Sequence, residues 1–178
     1  MPKSLLRLTF LLAAIGLLGA CGFQLRGTGL AGTMLPEDWK SMSLVTGNPN
    51  SELSREITSR FAANGIAWGE HPEANYRLRV GPERFSQQNL SLNSEARAAE
   101  FELTLKAQFT ISDSTGKVVM EDTDAVVIKQ MENDPRNVVG KSEEISLLRG
   151  EMRGELAEQM LRRIGFFASS DERAQNTP

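Results

Sequence analysis

One cysteine and one histidine stand in 178 residues, and those two shortages remove most catalytic and metal chemistry at the outset. Cys21 and His71 cannot between them furnish the nitrogen and sulfur ligands of a zinc-type site, and a lone cysteine closes no disulfide within the chain. No serine sits in a Gly-x-Ser-x-Gly elbow and no glycine-rich phosphate loop occurs. His71 lies beside Pro72 in a loop, a solvated setting rather than a catalytic one. The chain is therefore not expected to be an enzyme, nor to carry a metal or other cofactor. Positive charge is also in short supply. Twenty Lys and Arg against 23 Asp and Glu leave −3, and the balance becomes two units more negative if Lys3 and Arg7 depart with a cleaved leader. That excludes a general nucleic-acid footprint. Finally, the apolar run at residues 8–18 is shorter than the roughly 20 residues that span a bilayer.

What that short run does have is the right company. Two cations precede it, and Leu18-Gly19-Ala20-Cys21 closes it, which is the plan of a secretory signal peptide ending in a bacterial lipobox. In such a peptide the cysteine is diacylated, cleavage frees its amine, and that amine is usually acylated too. Each buried acyl methylene is worth about 0.8 kcal/mol, and two or more chains hold a protein on a membrane stably. An ordinary signal peptide with a chance cysteine, or a short membrane anchor, fits less well, because the lipobox is complete and the span cannot anchor by itself. Gly22 follows Cys21 where an aspartate would, by the usual rule for enteric-type bacteria, favour the inner membrane, so the outer membrane is expected. The resulting division is a leader over 1–20, a lipidated tether over 21–39, one domain over 40–167 and a polar, disordered tail over 168–178.

Within the domain, residues 40–45 predict a short strand with Met42 and Leu44 on one face. Asn50 or Ser51 can cap a helix whose Leu53, Ile57 and Phe61 recur every fourth residue, and Asn64-Gly65 stops it. Tyr76, Leu78 and Val80 alternate with Arg77 and Arg79, a strand with one apolar and one basic face, ended or bulged at Pro82. Residues 99–112 alternate strictly through Phe101, Leu103, Leu105, Ala107, Phe109 and Ile111 and predict a long strand. Asp113-Ser114-Thr115-Gly116 is a hairpin loop into a further strand over 117–130, with a bulge expected at Asp122-Thr123-Asp124. Ser142 can cap a long helix with the stripe Ile145, Leu148, Met152, Leu156, Met160 and Ile164. Its last turn carries Arg162 and Arg163, and Gly165 stops it. The order strand-helix-strand-strand-strand-helix predicts an α+β two-layer sandwich. Its sheet would be mixed, mostly antiparallel and four-stranded, with two helices on one face and polar residues such as Thr104 and Lys106 on the other.

With catalysis set aside, binding remains. The cations placed for it are Arg77, Arg79, Arg97 and Lys141, each taken singly a solvated surface charge but each suited to an anionic amphiphile.

In order along the chain, several segments resemble the LptE family of lipopolysaccharide-assembly lipoproteins. These are Cys21-Gly22-Phe23-Gln24-Leu25-Arg26-Gly27, Gly47-Asn48-Pro49-Asn50 with Leu53-Ser54-Arg55, Asn64-Gly65, Ala99-Glu100-Phe101, Asn133-Asp134-Pro135 and Leu161-Arg162-Arg163. The resemblance covers nearly all of the chain after Cys21 except the tail, and implies the same strand and helix plan. It implies a non-enzymatic outer-membrane lipoprotein that plugs and helps assemble the LptD β-barrel and takes part in inserting lipopolysaccharide into the outer leaflet. By the same resemblance Lys141, and more loosely Arg97, would touch lipopolysaccharide. The competing reading is an independent periplasmic lipid-binding or chaperone-like lipoprotein.

Overall fold

The structure is a computed structural model. It describes residues 35–70, 72–92, 98–133 and 138–175, all within the compact unit Thr33–Pro178. The expectations for the leader, for Cys21 and most of the tether, for His71 and for Arg97 lie outside the described residues.

A 3-10 turn at Glu37–Lys40 leads into β1 (Ser41–Thr46), α1 (Glu52–Ala63), a two-residue β2 (Ala67–Trp68) and β3 (Tyr76–Val80). Then come β4 (Arg84–Leu92), β5 (Ala98–Asp113), β6 (Val118–Glu132) and α2 (Val138–Gln175). α1 begins as its sequence dictates: the Ser51 hydroxyl accepts the Ser54 N–H at 3.1 Å, satisfying one of the amides a helix start leaves free. It ends at Asn64, and Gly65 takes φ 88°, a conformation glycine adopts without steric cost.

Strand β5 is the axis of the sheet. β6 runs antiparallel along one edge of it, from Glu100↔Glu132 to Ser112↔Val118. The other edge is divided: β4 pairs with its first half, Arg84↔Lys106 to Leu92↔Ala98, and β3 with its second, Tyr76↔Asp113 to Val80↔Phe109. β3 and β4 are thus one line of chain interrupted at Gly81-Pro82-Glu83. The Gly81 N–H still reaches the Gln108 carbonyl at 2.8 Å, while Pro82, with no N–H to give, falls in the gap. β1 lies parallel to both β3 and β2, so α1 is the crossover between parallel strands.

One face of this sheet is apolar and covered. Met42, Leu78, Leu103, Leu105 and Ile111 have no exposed surface, nor have Ile57 and Phe61 of α1 or Met152, Leu156, Met160 and Ile164 of α2. The predicted apolar stripes therefore face the core, with Leu44, Tyr76, Ile145 and Leu148 partly buried at its margin. At one end Trp39 stacks on Tyr76 at 4.0 Å and meets Phe167 edge-on at 5.8 Å.

Four expectations need correction. The sheet has six strands, not four. Residues 84–92, to which no strand is assigned from the sequence, form β4. They were illegible because residues 86–90 are exposed on both faces, so no two-residue apolar period is required of them. The irregularity of β6 overlaps the start of the expected place: Glu121 and Asp122, between Met120 and Thr123, together face Thr110 of β5, and a second shift follows toward Val118. α2 begins at Val138, a turn before Ser142, and passes through Gly165 to Gln175. Most of the segment expected as tail is thus helical. Ala168 is fully buried there, and this burial with the Trp39–Phe167 contact outweighs the roughly 1 kcal/mol that a glycine costs within a helix.

Candidate functional site

The second face of the sheet has no helix over it among the described residues. The even-numbered residues of β5 lie on it, and each sits between partners on two neighbouring strands. Lys106 is flanked by Arg84 and Val126, Thr104 by Ser86 and Ile128, and Glu102 by Gln88 and Gln130. Farther along, Arg79 stands beside Thr110 and Val45, and Arg77 beside Ser112 and Ser43. The Thr110 hydroxyl donates to the Asp122 carboxylate. Ile128, at 57 % exposure, is the largest apolar interruption recorded on this face. The predicted basic face of β3 is therefore part of a broad, mixed-charge surface. Such a surface is suited to binding through many hydrogen bonds and ion pairs.

At the far corner of the sheet, the first turn of α2 meets the beginning of β5 and the end of β6. Lys141 is half-buried there, its Nζ 4.0 Å from the centroid of the Phe101 ring, close enough for the ring's electron-rich face to attract the ammonium. Ser91, Glu100, Glu132 and Glu144 line the same depression. Ser91 Oγ donates to Glu100 at 2.9 Å. The lining is thus one cation among three carboxylates. Arg97, which immediately precedes β5 in sequence, is outside the described residues, so of the two predicted lipopolysaccharide contacts only Lys141 is placed.

A third cluster went unnoticed in the sequence. Glu83, in the break between β3 and β4, accepts from Arg149 at 2.9 Å and from Arg153 at 2.8 and 2.7 Å. Arg153 also reaches Glu52 at the start of α1, and the Arg149 guanidinium lies 4.8 Å over Phe85. The hydrogen bonds from Arg153 hold the Glu83 carboxyl below the ordinary glutamate range, against the opposing effect of burial. Arg149 and Arg153 fall among the apolar stripe residues of α2, an arginine pair at a spacing of four, and that was the available signal. These groups neutralise one another, so the cluster clamps α1, α2 and the strand break together. It offers no free charge to a ligand.

Comparison with known proteins is consistent along the whole domain. The family model described as "LptE: Lipopolysaccharide-assembly" matches residues 39–164. The LPS-assembly lipoprotein LptE of Yersinia pestis (strain Pestoides F) is 27% identical over 160 residues, covering 88% of this chain and 74% of its own. Among solved structures, rare lipoprotein B from Shewanella oneidensis superposes with a TM-score of 0.65 at 25% identity, over 76% of this chain and 98% of that one. Lipoprotein B from Nitrosomonas europaea, at 16% identity, shares the fold with a TM-score of 0.66 over 86% and 96% of the two chains. With the family model spanning well over half of its residues, and the sheet and helices in the arrangement those relatives have, the chain belongs to the LptE family of lipopolysaccharide-assembly lipoproteins.

Proposed function

We propose that this lipoprotein is held at the inner leaflet of the outer membrane by acyl chains on Cys21, and that its domain plugs the lumen of the barrel LptD. There it assists assembly of the barrel and passage of lipopolysaccharide to the outer leaflet. The observation that carries this reading is the uncovered sheet face of polar and charged residues. The lumen wall of an outer-membrane barrel is polar, and a surface rich in both donors and acceptors fits such a wall. Lipopolysaccharide contact is assigned to Lys141 at the β5–α2 corner, together with Arg97, which precedes β5 in the sequence. Lipid A phosphates accept charge-assisted hydrogen bonds from such groups. Because Glu100, Glu132 and Glu144 share the depression, Lys141 alone is a weak phosphate site and the second cation is required.

Co-purification tests the plug. The lipidated protein, extracted in mild detergent, is expected to bring down an outer-membrane barrel of large size. Recovery as a solitary protein would favour the independent lipid-binding lipoprotein instead. Reversing Lys141 and Arg97 to glutamate together should abolish lipopolysaccharide binding while leaving barrel recovery intact, and unchanged binding would remove the site assignment.

A further inference from the structure

The sheet has two long open edges, and they are treated differently. On β6 the outward groups are used: the Val126 N–H donates to Gln159 Oε1 at 2.7 Å, and the Asp124 carbonyl accepts from Arg163 at 2.6 Å. Both partners come from α2. The same strand carries two register shifts and the charges of Asp122, Asp124, Lys129 and Glu132. Bulges, charges and a covering helix are the usual means by which an edge is kept from pairing with another chain. β2 protects its edge by being two residues long.

The edge of β4 has none of these over its regular stretch. Because Asp124 and Val126 point away from β5, the even-numbered residues of β5 point toward the other edge, as the Gly81–Gln108 bond also requires. Arg84, Ser86 and Gln88 therefore bond inward to Lys106, Thr104 and Glu102. Phe85, Gln87 and Asn89 turn their N–H and C=O groups outward, where no described residue meets them. From Phe85 to Leu92 the strand carries no charge and no proline, and its register with β5 is unbroken until Asn89.

We propose that, in the chain not engaged with a barrel, this edge pairs with the same edge of a second copy, antiparallel and about a two-fold axis through Gln87. In that register Gln87 meets Gln87, Ser86 meets Gln88 and Phe85 meets Asn89. No like charges oppose each other, and every outward backbone group of Phe85, Gln87 and Asn89 finds a partner, the condition for an isologous interface. The axis stands perpendicular to the sheet. The helices of both copies therefore lie on one side and the two polar faces join on the other. A seam this narrow lies below the roughly 1,200 Å² of a firm interface, so the pairing is reversible and depends on concentration.

Sedimentation equilibrium of the full chain in mild detergent should show a dimer fraction that rises with concentration. Gln87→Pro should lower the association constant at least tenfold without changing Tm, because the Gln87 N–H is not used within its own sheet. Gln87→Lys, which sets like charges across the axis, should do the same and serves if the proline variant fails to fold. Hydrogen-bonded antiparallel partners have Cα atoms about 5.5 Å apart, inside the disulfide range. Gln87→Cys should therefore oxidise to a linked dimer, whereas Ile128→Cys on the open face, and the wild-type chain as control for Cys21, should not. A monomer at every concentration, association unchanged in both Gln87 variants, or linkage through position 128 in place of 87 would each overturn the proposal.

Discussion

Glu83 shows how much a single side chain can hold together when one of its two partners on α2 reaches on to α1. Its carboxylate receives Arg149 and Arg153 from α2, and Arg153 goes on to Glu52 of α1. The folded-state pKa of Glu83 is depressed. Its contribution is therefore fully present above the unfolded value of roughly 4.3 and is lost as pH falls through the folded one. Glu83→Gln should cost about 1.5–3 kcal/mol at neutral pH, the range for hydrogen bonds to charged groups. The difference from wild type should begin to shrink as pH falls below the unfolded value of roughly 4.3 and vanish only below the lowered folded one, where both side chains are neutral. Thermal melts of the two proteins across pH 3 to 7 check this, and parallel curves would refute it. At this scale the sequence was half legible. Lys141 could be singled out as a candidate, but its seat over Phe101 joins residues distant in sequence. Glu83 gave no sign at all, because its partners lie on a helix that follows several strands later.

The secondary elements were most legible where one face is buried and the other is wet. β5 was predicted within a residue at each end because it alternates strictly, and α1 because its cap, stripe and glycine stop agree. Errors arose where tertiary contact overrode local preference. β4 is exposed on both faces and carries no period. α2 runs past Gly165 because Phe167 meets Trp39 and Ala168 is buried. That dependence can be tested. Trp39→Ala should destabilise the domain by about 3–5 kcal/mol, as for other large aromatic truncations. It should also speed amide exchange in α2 after Gly165 more than in its middle, where Leu156 and Met160 remain packed. Uniform protection along α2 in the variant would show that the helix end stands without Trp39.

The described domain is a two-layer sandwich whose sheet has no helix over its second face, and its sequence announced that through the polar residues alternating along β5. What the sequence could not announce was the breadth of the uncovered face, since β4 adds a row of polar side chains to it. Thr104 is central in that surface, between Ser86 and Ile128. Thr104→Trp should change stability by no more than about 0.5 kcal/mol, as surface substitutions usually do, yet abolish recovery of the barrel. Full recovery would mean that another surface makes the contact. The division of β5 between three partners also bears on how the chain reaches this form. Its longest pairing, with β6, is closed by its shortest loop. There Gly116 takes φ 89°, and the Asp113 carboxylate accepts from the Thr115 N–H and hydroxyl and from the Lys117 N–H. A contact so local costs little loop entropy. This hairpin should therefore form early in folding, with β3, β4 and the βα crossover assembling later on the edge it presents.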